Sequence, residues 1–360
     1  MAFLPEPETF KRIVDGTSTG VAAAVARGVL AGLSVPYGLA VALRNGGYDS
    51  GTLPSHAAPI PVVSVGNLTL GGTGKTPLVA WVVRLLRERG LRTAIVSRGY
   101  AARPGERSDE AAELLTLIPQ TAHVVDRDRV AGVRTAAAAG AEVAVLDDGF
   151  QHRRLRRDLD IVAVDATDPF GCGHLFPRGL LREPIRGLGR AGAVVRTRAS
   201  SVAADRRREI RAALTAAAGG RLTAAWMEAE HRPIALRSAD GSRQPLDDLA
   251  GRRIAAFAGI GNPAAFRATL QSLGAELASF AGFPDHHAYT ESDLDRVAGG
   301  LPAGVRLVVT TLKDLVKIGR PRLGGVPLVA LEIALTPLAG GEALEQAVAA
   351  AVDSPGRGRS

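Results

Sequence analysis

The chain has 360 residues, 46% of them hydrophobic and 22% charged, which excludes a disordered chain and exceeds the usual size of a single core, so two domains are expected. A formal net charge of +8 favours an anionic partner, while an aromatic content of 4% leaves too few stacking platforms for single-stranded nucleic acid. The single cysteine, Cys172, excludes a disulfide framework and a multi-cysteine zinc site, and reads as structural in a reducing compartment.

From the N-terminus, Val21 to Leu43 is apolar apart from Arg27 and Ser34 and is long enough to cross a bilayer. Arg27, Pro36 and the glycines at 28, 32 and 38 favour instead a membrane-surface or docked helical hairpin over residues 1–48, with Lys11, Arg12, Arg27 and Arg44 facing lipid phosphates. A cleaved signal peptide is not expected, because it would export a nucleotide site to a compartment without ATP.

The apolar run Pro61 to Val65 leads into Thr69-Leu70-Gly71-Gly72-Thr73-Gly74-Lys75-Thr76, a glycine-rich turn placed between a strand and a helix. Backbone N–H groups of such a turn close around oxyanions, Lys75 supplies charge to the β- and γ-phosphates of ATP, and the Thr76 hydroxyl can hold Mg²⁺. The first glycine of the usual motif is replaced by Thr69, with Gly71-Gly72 supplying the flexibility. Partitioning-type ATPases carry a signature lysine before their paired glycines, and here that residue is Leu70.

Pro77 to Arg89 reads as a helix with Leu78, Val82, Leu85 and Leu86 on one face and Gly90 as its stop. Thr93 to Ser97 reads as a strand ending in the turn Arg98-Gly-Tyr100, followed by a helix near Glu110 to Leu117. Ser108 and Asp109 suit a helix N-cap, and Asp109-Glu110 equally suit a base and a metal ligand near a γ-phosphate. Ala141 to Leu146, Asp160 to Val164 and Ala191 to Val195 read as buried strands, the first ending in Asp147-Asp148, where a parallel sheet presents ligand groups for Mg²⁺.

Arg153, Arg154, Arg156 and Arg157 follow, then Arg178, Arg182, Arg186 and Arg190 in a stretch that Pro184, Gly187 and Gly189 make a basic loop rather than a helix. That loop suits a clamp for a phosphorylated or membrane-bound substrate. A second alternating set begins near Ile254, with a glycine turn Gly259-Ile-Gly-Asn262, the motif Phe283-Pro-Asp285-His286-His287, a strand over Val305 to Val309 and the charged turn Lys313-Asp314 with Lys317. The tail from Ser354 is expected to be disordered.

Taken in order, several unusual motifs make the chain resemble the tetraacyldisaccharide 4'-kinases, from about Pro36 to Leu335. They are Gly66-Asn to Thr76-Pro77, Ser97-Arg-Gly-Tyr100, Asp109-Glu110, Asp147-Asp-Gly-Phe-Gln151-His152, Leu181-Arg-Glu-Pro184, Phe283-Pro-Asp-His-His287 and Lys313-Asp314. The loop of that family also lacks the first glycine, while the segment Ala101 to Pro104 and the C-terminal extension depart from the shared pattern.

The resemblance implies two α/β/α domains, the first with a phosphate-loop NTPase-like parallel sheet over residues 49–222 and a smaller one over 233–340 that closes over substrate, with a C-terminal helix and tail over 341–360. It implies transfer of the ATP γ-phosphoryl group to the 4'-hydroxyl of a lipid A precursor at the cytoplasmic face of the bacterial inner membrane. Asp109 is then the catalytic base, assisted by His286 or His287 and by Lys75. Thr76, Glu110, Asp147, Asp148 and Gln151 become metal-side groups, and Arg182 and Arg98 substrate contacts. The partners implied are the glycolipid and the membrane surface, without nucleic acid, and the chain is expected to act as a monomer. The competing readings are a partitioning-type ATPase switch and a soluble small-molecule kinase.

Overall fold

In a computed structural model of the chain, the described residues are 7–99, 109–220, 222 and 224–353. Tyr100, the loop 101–104, Ser108 and the tail from Ser354 lie outside them. In chain order the elements are α1 (Pro7–Val14), α2 (Val21–Asp49), β1 (Val62–Asn67), α3 (Lys75–Glu88), β2 (Thr93–Ser97), α4 (Asp109–Leu117), β3 (Ala122–Val125), α5 (Arg129–Ala138), β4 (Val143–Asp147), β5 (Leu159–Asp165), β6 (Ala193–Thr197), α6 (Ala204–Ala217) and β7 (Ala225–Ser238). Then come β8 (Arg243–Gln244), β9 (Arg253–Ala258), α7 (Pro263–Ser272), β10 (Glu276–Gly282), α8 (Glu291–Gly299), β11 (Val308–Thr311), α9 (Leu312–Ile318), β12 (Arg322–Leu323), β13 (Val326–Ala339) and α10 (Gly341–Asp353).

The chain forms two compact units: residues 1–98, 122–230 and 337–360 in the first, and 99–121 with 231–336 in the second. The sequence alone predicts a single domain over residues 49–222. Helix α4 departs from it because its apolar face, Ala111, Leu114 and Leu117, is buried in the second unit, where α4 packs on α9.

In the first unit the strands lie in the order β7-β6-β5-β1-β4-β2-β3, each neighbour parallel. The central strands β1 and β4 are apolar runs buried on both sides, as parallel strands covered by helices must be. Helix α3 buries Leu78, Val82 and Leu86 as its periodicity predicted, but Val79 and Val83 complete the face and Leu85 lies at its edge. Each such buried side chain is worth about 1.5–3 kcal/mol of transfer free energy. The second unit orders β10-β9-β11-β13, again parallel, with β12 antiparallel on β13. Its strand after residue 300 starts at Val308, not Val305, because Pro302 and Gly304 hold the preceding residues in a turn. In the turn Gly259-Ile-Gly-Asn262, Asn262 Oδ1 accepts the Ala265 N–H and caps α7, a structural use of that motif.

The N-terminal segment is a short helix followed by one continuous 29-residue helix that runs through Pro36. Tyr37 donates its hydroxyl to the Arg182 carbonyl and Ser34 to that of Leu175, while Gly38 lets the Leu175 side chain approach. Val21, Val25, Val29, Leu33, Leu39 and Leu43 lie on the other face and are exposed, from 54% to 82%. Among the described residues α2 is long and apolar enough to cross a membrane. Arg27 does not face outward as expected; it donates to the carbonyls of Ile13 and Ser18 and ties α2 to the turn after α1.

Candidate active site

The phosphate loop follows β1 directly, and the carboxylates Asp147 and Asp148 end β4, its parallel neighbour, with Asp147 in register with Val65. Gly66 is required here because a Cβ would stand 2.6 Å from the Phe150 Cβ and 2.8 Å from its backbone nitrogen. The absence of glycine at position 69 has a local cause. Thr69 is buried and pairs as an antiparallel bridge with Leu181, while Leu70 donates its N–H to the Leu180 carbonyl at 2.7 Å. The chain is thus extended at Thr69 and turns only at Gly71 and Gly74, whose φ angles are 104° and 80°.

Lys75 Nζ donates to Asn67 Oδ1 at 3.1 Å and lies 3.6 Å from Asp148 Oδ1. Asn67 is fully buried and its amide donates to the Thr69 carbonyl at 2.6 Å, so it braces both ends of the loop. The Thr73 hydroxyl oxygen is buried with no hydrogen-bond partner among the described residues, and as a donor inside the loop it suits an anion oxygen. Arg182 binds Asp148 at 2.7 Å and 3.0 Å, so the residue expected to touch substrate is held on a carboxylate beside the loop. Burial pushes the Asp148 carboxyl up, but Lys75 and Arg182 outweigh it and hold the group below its ordinary range, ionised.

Gln151 donates its amide to the Asn67 carbonyl at 2.9 Å and to Glu183 Oε1 at 3.0 Å. Glu183 is completely buried and also accepts from Asn45 of α2 and from Arg190, which makes it the polar hub between α2 and the phosphate loop. His152 beside this motif stays neutral at physiological pH: burial, with Arg129 and Arg157 nearby, brings its imidazole down to about 4. Arg98 is exposed immediately after β2.

In the second unit the first residue of α4, Asp109, meets the turn after β10. His286, held at a φ of 60°, donates from Nδ1 to Asp109 Oδ2 at 3.1 Å, and its Nε2 lies 3.6 Å from Glu110 Oε1. Lys317 of α9 approaches the same Asp109 oxygen at 2.8 Å. Burial raises the Asp109 carboxyl, but the Lys317 contact, then His286, outweigh it and the net shift is downward. One turn further along α4, burial pushes Glu113 up to about 7. His287 is turned elsewhere: its Nε2 pairs with Asp293 at 3.0 Å and its ring packs on Phe283 and Tyr289.

Residues 26–353 match the family described as tetraacyldisaccharide-1-P 4'-kinase. The chain belongs to this family. The match reaches the end of α10, so the C-terminal helix, read from sequence as an extension outside the shared pattern, is part of it.

A tetraacyldisaccharide 4'-kinase of Anaeromyxobacter dehalogenans is 43% identical over 338 residues, covering 87% of this chain and 88% of that protein. One from Geobacter metallireducens is 42% identical over 328 residues, covering 85% and 94%. A crystal structure of LpxK from Aquifex aeolicus in complex with ATP superposes with a TM-score of 0.74 at 30% identity, over 91% of this chain and 99% of that one. The chain therefore has the α/β phosphate-loop fold and the activity of its family, ATP-dependent 4'-phosphorylation of a tetraacyldisaccharide 1-phosphate in lipid A biosynthesis. Neither a partitioning-type ATPase nor another small-molecule kinase accounts for these matches.

Three residues at these sites were not singled out from sequence. Asn67 and Glu183 lie inside motifs whose legible chemistry belongs to their neighbours, and Lys317 lies in a stretch that shows only its charge. The signal available for each was its place beside a chemically active residue, and only the fold shows the contact.

Proposed function

We propose that Lys75 and the phosphate loop from Thr69 to Thr76 hold the ATP phosphates and that Asp109 accepts the proton of the sugar 4'-hydroxyl as it attacks the γ-phosphorus in line. The observation that carries this reading is the Asp109–His286 pair at 3.1 Å, a carboxylate oriented by an imidazole in the manner of a positioned general base. His286 is then the assisting histidine, and His287 shapes the turn that presents it. As the hydroxyl oxygen bonds to phosphorus, the bond to the β-bridging oxygen breaks, and the Lys75 ammonium neutralises charge on the leaving ADP.

Thr76, Asp147 and Asp148 supply hard oxygen donors beside the loop, the set Mg²⁺ prefers when it takes one or two carboxylates with substrate phosphates. Bound there, Mg²⁺ would offset charge on the transferred group. Glu110 and Gln151 remain candidates for the metal side. Arg182 would move from Asp148 to a substrate phosphate, with Arg98 as a second contact.

The exposed apolar face of α2 supports a seat at the membrane, and the need for ATP favours the cytoplasmic face of the inner membrane. The expected occupant of the site is the glycolipid within that membrane, and the chain is read as acting without nucleic acid and as a monomer.

The test is ATP-dependent labelling of a tetraacylated disaccharide 1-phosphate in detergent. A labelled bis-phosphate is expected, lost on chelation of divalent cations and restored by excess Mg²⁺; product formation unaffected by chelation would defeat the metal assignment. Separately, replacing Val25, Val29 and Leu33 by Ser should lower partitioning into anionic vesicles at least about tenfold, given roughly 1.5 kcal/mol or more per buried side chain. Unchanged sedimentation with vesicles would remove α2 as the membrane contact.

A further inference from the structure

The site residues assigned so far leave Lys317 without a role, although it touches the proposed base more closely than His286 does. Its ammonium lies 2.8 Å from Asp109 Oδ2 and donates to the His287 carbonyl at 3.2 Å. The lysine side chain is only 12% exposed. It therefore joins two segments that are far apart in sequence: the first turn of α4, which carries Asp109, and the turn after β10, which carries His286.

The support beneath it is anchored by buried hydrogen bonds. Thr311 caps α9, with its hydroxyl oxygen accepting the Asp314 N–H, and the fully buried Asp314 carboxylate accepts from the Gly259 N–H and the Thr311 hydroxyl. Lys313 and Lys317 stand four residues apart on one face of α9. The first binds Asp285 Oδ1 at 3.1 Å, and the same oxygen accepts the His286 N–H at 3.0 Å. The two lysines thus hold the turn at its side chain and at its backbone, and Lys317 alone also holds the aspartate.

We propose that Lys317 is a positioning residue for 4'-phosphoryl transfer, fixing the Asp109 carboxylate and the His286 turn in one geometry. An ordinary ion pair on a helix surface would need only the carboxylate; the second contact, to a backbone carbonyl of the neighbouring turn, is what a positioning role requires. Because productive attack needs the base placed within about 1 Å, loosening this clamp should slow the chemical step while leaving substrate binding intact.

The proposal rests on Asp109 being the base, so the experiment separates the two claims. In the lipid phosphorylation assay, Lys317→Met should lower kcat about 100-fold, with KM for ATP and for lipid within about threefold of the parent. Lys317→Arg, which retains charge and donors, should recover at least about tenfold of that loss. The double variant with Asp109→Asn should be no slower than Asp109→Asn alone, since a clamp has nothing to position once the base is gone.

A Lys317→Met enzyme within threefold of parental kcat, or losses that multiply with those of Asp109→Asn, would overturn the proposal. Should Lys317→Met fail to fold, as read by its thermal transition, Lys317→Gln decides the question on the same kcat criterion. Full turnover in Asp109→Asn would instead defeat the base assignment itself.

Discussion

Lys75→Ala is expected to lower kcat/KM for lipid phosphorylation at least about 1,000-fold, equivalent to roughly 4 kcal/mol of transition-state stabilisation. The ammonium stands at the end of the turn that cradles the phosphates, and it is already held in place by Asn67 and Asp148. Its loss removes the charge that offsets the γ-phosphoryl group and also leaves Asp148 ionised beside that group, countered by Arg182 and, less strongly, Arg129. Lys75→Arg should not restore full activity, because a planar fork cannot take the place of a compact ammonium between Asn67 and Asp148. The measurement is steady-state transfer to the disaccharide with thermal unfolding as control. Activity within tenfold of the parent in a folded Lys75→Ala protein would remove the phosphate loop from the reaction.

The second large effect is expected at Asp109. Asp109→Ala should lower kcat about 1,000- to 10,000-fold while ATP affinity stays within about threefold, because the proposed role of this carboxylate is toward the acceptor hydroxyl and not toward nucleotide binding. The environment suits that role: His286 and Lys317 keep the carboxylate ionised and fixed at neutral pH. Isothermal titration with ATP and the phosphorylation assay together check both halves. Near-normal turnover in the variant would sink the assignment; loss of ATP binding along with turnover would relocate Asp109 to the nucleotide.

Much of this was legible in the chain before folding. The glycine turn between an apolar strand and an amphipathic helix, and the carboxylates closing another apolar strand, name their chemistry by residue type and spacing. Five of the strands that frame them stood out because strands buried on both faces of a parallel sheet are short apolar runs. Others did not. β3 shows an irregular exposure pattern, and β7 mixes Glu, His and Arg with apolar residues because only part of its length is buried. The membership of α4 in the second unit was hidden for another reason: its apolar face is generic, and nothing in nine residues says which unit will cover it.

At the site the division is similar. Two adjacent histidines could not be told apart by sequence, since neighbouring residues differ in direction only once the backbone is set. The left-handed conformation at His286 sends that ring to Asp109, while His287 packs among Phe283, Tyr289 and Asp293. Thr69, irregular by motif, became intelligible through its bridge to Leu181, more than a hundred residues away.

The sequence by itself determined that this protein uses nucleotide through a phosphate loop, that it is built of parallel α/β units and that it carries an apolar N-terminal helix. These follow from local properties: side-chain chemistry, hydrophobic period and the backbone freedom of glycine. Only the tertiary structure decided that Lys75 is braced by Asn67, that Arg182 rests on Asp148, that Glu183 links α2 to the loop, and that Lys317 and His286 share one oxygen of Asp109. Those contacts join residues distant along the chain, and direction and distance between such side chains exist only after the sheets and helices have packed.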